Sequence, residues 1–569
     1  FTEDPALVQA VTAVKGSIKD LNISTKGTLM LLGNKDNGTG IAAENGKKVI
    51  IRGKTYITGK RGIHANNGTV VLYGDSRIDD GEMKVENGGK LHMAGTLEGG
   101  VLNANGENTK LFLLSGKEGA PAITDKVKTV TVTDKALLNA SKGAKVETGL
   151  LSVNNASANF NDTVTIGNGL KAENGARIMM RRGGEISGTV TVKGEKTLAF
   201  LDGVTVRKGS VIEALSKGQI NINGGKTEKN RVKADGGIVK LRQGSYRLGD
   251  IEAKKGGRIY LNSGNKTEIE GTVTVDKPST AVLQMKGSSS VLKGNITGEG
   301  TAQLEIGRNG KWEGTMKTGS SKVKLGDKSV WTPTENTDIG FLNGNKATVD
   351  MSKANKKWMK ISNYSGNAIF YLDHSATEKE NKGLKIKSGG IVVRRADKGS
   401  RITLRIDNKG LRTNSTSGKD KALVEGTLDN LAGKLSYVAY ATGQRNLKGR
   451  VEIAEGLTSP SAALSGDITF TKTGKGSYRP VKGGGEKRSA PLPKTAYFLP
   501  AGTTSHTVAK PTTSPTVEPA KSEPVTATKT AETAAKTSTA PRMMKAGTVK
   551  GRRTSEIIYG DKETQMMRG

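Results

Sequence analysis

A spacing of the form apolar-x-small-x-x-Gly-x-x-apolar-x-apolar recurs along the first two-thirds of the chain and constrains its fold more than any other feature. It runs through Ile41, Ala43, Gly46, Val49 and Ile51, and again through Ile63, Ala65, Gly68, Val71 and Tyr73. Further copies are Met83, Val85, Gly88, Leu91, Met93; Leu138, Ala140, Gly143, Val146; Leu170, Ala172, Gly175, Ile178, Met180; and Ile251, Ala253, Gly256, Ile259, Leu261. Looser copies lie near Ala122, Ala156, Val192, Ala214, Ala234, Val275 and Thr297. Successive units are therefore about 16 to 22 residues apart, a period expected of solenoids.

Inside each unit apolar and other residues alternate with period two, the mark of a strand with one buried face, and the Gly closes a short turn between two strands. A leucine-rich solenoid of similar period needs a Leu and Asn framework that is missing here. The expected fold class is all-β: a right-handed parallel β-helix with a C-terminal cap and a disordered Pro/Thr-rich tail. Roughly fifteen coils stacked about 4.8 Å apart would make a rod about 70 Å long. Val49, Ile51, Leu91, Met93, Ile178, Met180, Ile259 and Leu261 should point into its core.

Composition agrees with an elongated repeat. With 76 Gly, 4% aromatic residues and no Cys in 569 residues, the chain is poorly suited to several globular cores, and disulfides and Cys-based metal sites are excluded. Calcium-loop patterns are also missing, so no metal or other cofactor is expected. No apolar run approaches the roughly 20 residues of a spanning helix, and the chain starts at Phe1 without an apolar signal core, as a processed product would.

The repeat changes character near residue 310, which divides the chain into a β-helix stem, 1–310, and a segment of further coils and cap, 311–480. Trp312, Trp331 and Trp358 fall just past that boundary, longer strands are expected at 401–406 and 435–439, and helix signals are nearly absent. One further coil fits Ile361, Asn363, Gly366, Ile369 and Tyr371. Residues 481–569 are rich in Pro, Thr, Ala, Ser and Lys, cannot bury a core, and read as a disordered linker.

The segments VKLGDKSVWTPTENTDIGFLNGNKATVDMS, ISNYSGNAIFYLDHS, GLKIKSGG and RITLRIDNKG resemble the folding-promoting end of passengers of the type V autotransporters, in their pertactin-like and self-associating branch. The resemblance covers 320–480 directly and the upstream coils in architecture only. It implies export across the outer membrane of a diderm bacterium through a C-terminal barrel, a secreted or surface location, and roles in adhesion, autoaggregation, biofilm and virulence. No barrel follows the Pro-rich segment, so the expectation is a passenger truncated or separated from its barrel.

Enzymatic readings find little support. A protease site from His64 and Ser76 fails because Arg77 replaces the Gly of the usual nucleophile loop. A polysaccharide lyase or hydrolase, the main alternative, would draw on Asp79, Asp80 and Glu82, which read more simply as a solvated turn, with His64 and His92 facing solvent. The net charge of +35 points instead to polyanions. Among the basic runs are Arg181 with Arg182, Arg394 with Arg395, and Arg552 with Arg553; the lack of aromatic interleaving argues against single-stranded nucleic-acid readout. If the coils stack on their shared Gly, the position two residues later forms a column of Lys48, Lys90, Lys145, Arg177 and Arg258, broken by Val70. Glu44, Glu86 and Glu173 form a neighbouring file that would partly neutralise it. Such a ladder would bind anionic polymers (glycosaminoglycans, extracellular DNA or surface glycans), alongside self-association between passengers on neighbouring cells.

Overall fold

Strands with one buried face must pair their backbone N–H and C=O groups with neighbours. In the computed structural model most strands pair in parallel with their counterparts about one coil further on, giving a mostly β chain that forms a parallel β-solenoid of about 15 turns with little helix. The structure describes residues 20–32, 36, 38–79, 81–114, 123–353, 356–455 and 462–480. The expected disordered linker, 481–569, with Arg552 and Arg553, lies outside the described residues, as does Ala122 of the looser repeats.

One coil shows the plan. Leu170–Glu173 lies in a first sheet, Arg177–Met180 in a second and Gly184–Ile186 in a third. They pair with Val190–Lys193, Leu198–Asp202 and Val204–Val206 of the next coil. Leu170, Ala172, Ile178, Met180 and Ile186 point inward and are buried. The turn from first to second sheet puts Asn174 at φ 54° and Gly175 at φ 83°, both in the left-handed region that Asn tolerates and Gly adopts freely. Nothing lies within 4 Å of where a Cβ on Gly175 would sit, so backbone conformation and not space selects Gly there. The Asn174 Nδ2 donates to Asn154 Oδ1 at 2.9 Å, tying one turn to the next.

The eight residues expected in the core are all buried, none more than 3% exposed. The second copy of the repeat, however, is one residue out of step. Lys48 pairs with Thr69 and Thr69 with Lys90, so Val70 and Leu72 point inward while Val71 takes an outer position, where it is still buried, and Tyr73 is 49% exposed. The register aligns Gly68 with Gly89, not with the turn residue Gly88. A Cβ on Gly68 would lie 2.3 Å from the Ala43 carbonyl oxygen, and one on Gly89 2.1 Å from that of Ala65. Close approach and left-handed backbone both select Gly, and the repeat pattern does not separate the two demands. The coil through Ile361 slips in the same way: Ala368 and Phe370 are buried, and Ile369 is only half-buried. The copy at Leu138 straddles a different corner, with Ala140 in the second sheet and Val146 in the third.

Toward the C-terminus Trp312 and Trp331 fill the interior of the third sheet. Parallel pairing continues as far as Arg401–Asp407 with Lys448–Ala454. There the sheet turns antiparallel, through Ala462–Phe470 and Gly476–Arg479, which covers the last parallel strand edge. Two expectations need correction. Residues 435–439 are a short strand, Leu435–Tyr437, running into a 3₁₀ turn, Val438–Thr442. An α-helix, Gly418–Ala432, also forms where no helix was expected. Its buried Val424, Leu428 and Leu431 recur at helical spacing, a readable signal that the surrounding strand pattern masked. Thr427 Oγ1 accepts from the Leu384 N–H at 2.9 Å and seats the helix on the hairpin His374–Glu380 and Gly383–Ile386. Among the described residues no helix is long and apolar enough to cross a membrane.

Candidate functional site

Alternation decides which side chains leave the core, and coil-to-coil register decides which of them stand together. On the second sheet the first outward column runs Lys48, Thr69, Lys90, Lys110, Leu137, Ser157, Arg177, Leu198, Gln219, Ile238, Arg258. Four of the five expected ladder residues therefore do share one column. Lys48 and Lys90 are two coils apart, about 10 Å, and Lys90, Arg177 and Arg258 are separated by four coils each, about 19 Å. Lys145 is not among them: it pairs with Ile123 in the third sheet, because its copy of the repeat spans the other corner. The break expected at Val70 is Thr69, since Val70 faces inward.

The ladder is wider than the repeat pattern indicated. A parallel column four residues further on contains Arg52, Arg181, Arg242 and Lys324. Between residues 48 and 325 the described outward positions of this sheet include two acids, Asp202 and Glu305. Asp202 accepts from Asn223 Nδ2 at 3.0 Å and Glu305 pairs with Lys324 at 2.8 Å. Lys48, Lys90, Arg177, Arg181, Arg242 and Arg258 form no ion pair with a described residue.

The other sheets are neutralised locally. On the first sheet Lys84 meets Glu86 at 2.7 Å and Lys171 meets Glu173 at 2.9 Å. Glu86 and Glu173 are thus committed to their own sheet and do not offset the ladder as expected. On the third sheet Arg207 bridges Glu185 and Glu228, and Arg247 meets Glu268 at 3.1 Å. The basic excess is consequently concentrated on one face.

Between the two basic columns lies a column that the sequence does not display. It runs Ile50, Val71, His92, Phe112, Asn139, Asn159, Met179, Phe200, Asn221, Lys240, Tyr260, Val282. Phe112, Phe200 and Tyr260 are half-buried and outward. Aromatic interleaving, judged missing from the linear sequence, is therefore present in space. His92 stacks on Phe112, ring centroids 4.7 Å apart, and is half-buried; burial, then Lys90 and Lys48, push its pKa down.

The residues of the enzymatic readings are held elsewhere. Ser76 is buried with its Oγ 2.7 Å from Thr55 Oγ1. His64 is also buried, contrary to expectation, with Nε2 2.8 Å from Glu86 Oε1. Asp79 accepts from the Tyr56 hydroxyl and pairs with Arg77 at 3.1 Å, while Glu82 accepts from Asn103 on the first sheet. Asp80 lies outside the described residues.

No family model matches the chain, and no curated protein matches it. Among solved structures it is similar to the crystal structure of the autotransporter UpaB from E. coli strain CFT073. That likeness has 12% identity, covers 80% of this chain and 99% of the other, and has a TM-score of 0.25.

Proposed function

We propose that the chain is the passenger of a bacterial autotransporter, secreted or displayed at the cell surface, which adheres to anionic polymers and promotes aggregation and biofilm. The reading assigns it binding and no catalysis. Its family element rests on the sequence resemblance at 320–480 together with the parallel solenoid. Its binding element rests on one observation: basic side chains without described ion-pair partners are gathered on the outer face of the second sheet, which carries few acids, while acidic side chains stand among the basic ones on the other two faces and pair several of them. A linear polyanion lying along that face would meet several charges at once, so binding is multivalent and strongly salt-dependent.

Retention of the full chain on immobilised heparin, eluted with salt, tests this. A Lys48, Lys90, Arg177, Arg258 quadruple Gln variant should elute at clearly lower salt than the parent. Removing four equivalent charges from 481–569 should matter less. Equal elution of the two variants would refute a binding face on the solenoid. Cell aggregation by the purified chain, with no reducing ends or unsaturated products released from pectin or heparin, would separate the adhesive reading from the lyase alternative.

A further inference from the structure

The central column of the basic face adds a chemical requirement that charge alone does not satisfy. Phe200 and Tyr260 are three coils apart, about 14 Å, and Phe112 is four coils before Phe200, about 19 Å. Amide side chains stand among them: Asn139 and Asn159 in the same column, Gln219 and Asn223 on either side. These amides are already oriented, Asn161 Nδ2 toward Asn139 Oδ1 at 3.4 Å and Gln219 Nε2 toward Asn221 Oδ1 at 3.2 Å.

Three recognition elements thus share one face: guanidinium and ammonium groups for carboxylates or sulfates, amides that both donate and accept for hydroxyls, and half-buried rings that offer an apolar surface. An acidic polysaccharide offers all three counterparts within one repeating unit. A single-stranded nucleic acid stacks successive bases on closely placed rings, and rings three and four coils apart do not supply that.

We infer that the outer face of the second sheet binds an acidic polysaccharide, with sugar rings packed on Phe200 and Tyr260 and acid groups paired to Arg177, Arg181, Arg242 and Arg258. This rests on the polyanion reading above and makes it specific to a glycan. Binding then has a part that salt does not screen.

The test measures the full chain against a heparin oligosaccharide and against single-stranded DNA, at low and at physiological salt. A Phe200→Leu, Tyr260→Leu variant keeps apolar cover over the sheet but loses the aromatic rings; circular dichroism and protease resistance confirm that it is folded. Heparin affinity should fall about tenfold in this variant, with the loss persisting at higher salt, while DNA affinity stays within about twofold. An Arg177→Gln, Arg258→Gln variant should weaken both ligands. If the ring variant binds heparin like the parent, or loses DNA as much as heparin, the glycan inference falls. The polyanion reading then stands if the arginine variant still weakens binding, and falls too if it does not.

Discussion

The indole of Trp331 stacks on that of Trp312, with ring centroids 4.4 Å apart and planes 6° apart, and each Nε1 donates to a glycine carbonyl in the preceding coil. Trp312 reaches Gly294 at 3.2 Å and Trp331 reaches Gly314 at 2.9 Å. Both rings are buried, so the pair fills the interior of the third sheet and satisfies its polar atoms there. Trp331→Ala should cost roughly 3–5 kcal/mol. Because coils contact mainly their neighbours, hydrogen exchange should accelerate between about residues 291 and 350 and change little around Ile178. Uniform acceleration along the solenoid would contradict this.

Ile259 and Tyr260 are adjacent in sequence and opposite in direction: Ile259 is buried in the core and Tyr260 is half-buried on the outer face. Ile259→Asp places a charge without a partner in the core and should cost more than about 4 kcal/mol, whereas Tyr260→Asp should change stability by less than about 1 kcal/mol. Urea unfolding followed by circular dichroism distinguishes them. Comparable losses would mean that the inward register is misassigned.

In the last coils Arg405 and Glu452 are direct neighbours in register and buried, with Nη2 to Oε2 at 2.6 Å. Arg450 Nε meets the other oxygen of the same carboxylate at 2.9 Å. Glu452→Gln removes the charge that both guanidiniums share. The expected cost is roughly 3–5 kcal/mol, and Glu452→Asp should recover part of it. Thermal unfolding of the two variants measures the difference.

His92 has a folded-state pKa below its ordinary 6.5, through burial first and then Lys90 and Lys48. Above pH 6.5 the ring is neutral in both folded and unfolded chains and contributes no pH dependence. As pH falls below 6.5 the unfolded chain takes up a proton that the folded one resists, so stability should drop until the folded-state pKa is reached. His92→Phe keeps a ring against Phe112 and should abolish that acid-side loss. Lys48→Gln should raise the His92 pKa in an NMR titration; an unchanged value would remove Lys48 as a cause.

The amino-acid sequence by itself determined the solenoid, its period and its core. Alternation around a recurring Gly is a local property, and it placed Val49, Ile51, Ile178, Met180, Ile259 and Leu261 inward without reference to any other coil. What it did not contain was the register between coils. That register depends on backbone pairing across about 20 residues and on turns of variable length, where one Gly serves a left-handed turn and the next a close approach. A one-residue difference at Gly68 turned Tyr73 outward, and a different corner put Lys145 on another sheet. The helix at Gly418–Ala432 is stabilised by packing on a hairpin, so its weaker local signal was outweighed in a strand-rich context. Only the stacked coils decided that Phe112, Phe200 and Tyr260, up to 148 positions apart in the chain, stand in one column between arginines. Side chains on a solenoid meet across coils, and a pattern read within one coil does not reach that far.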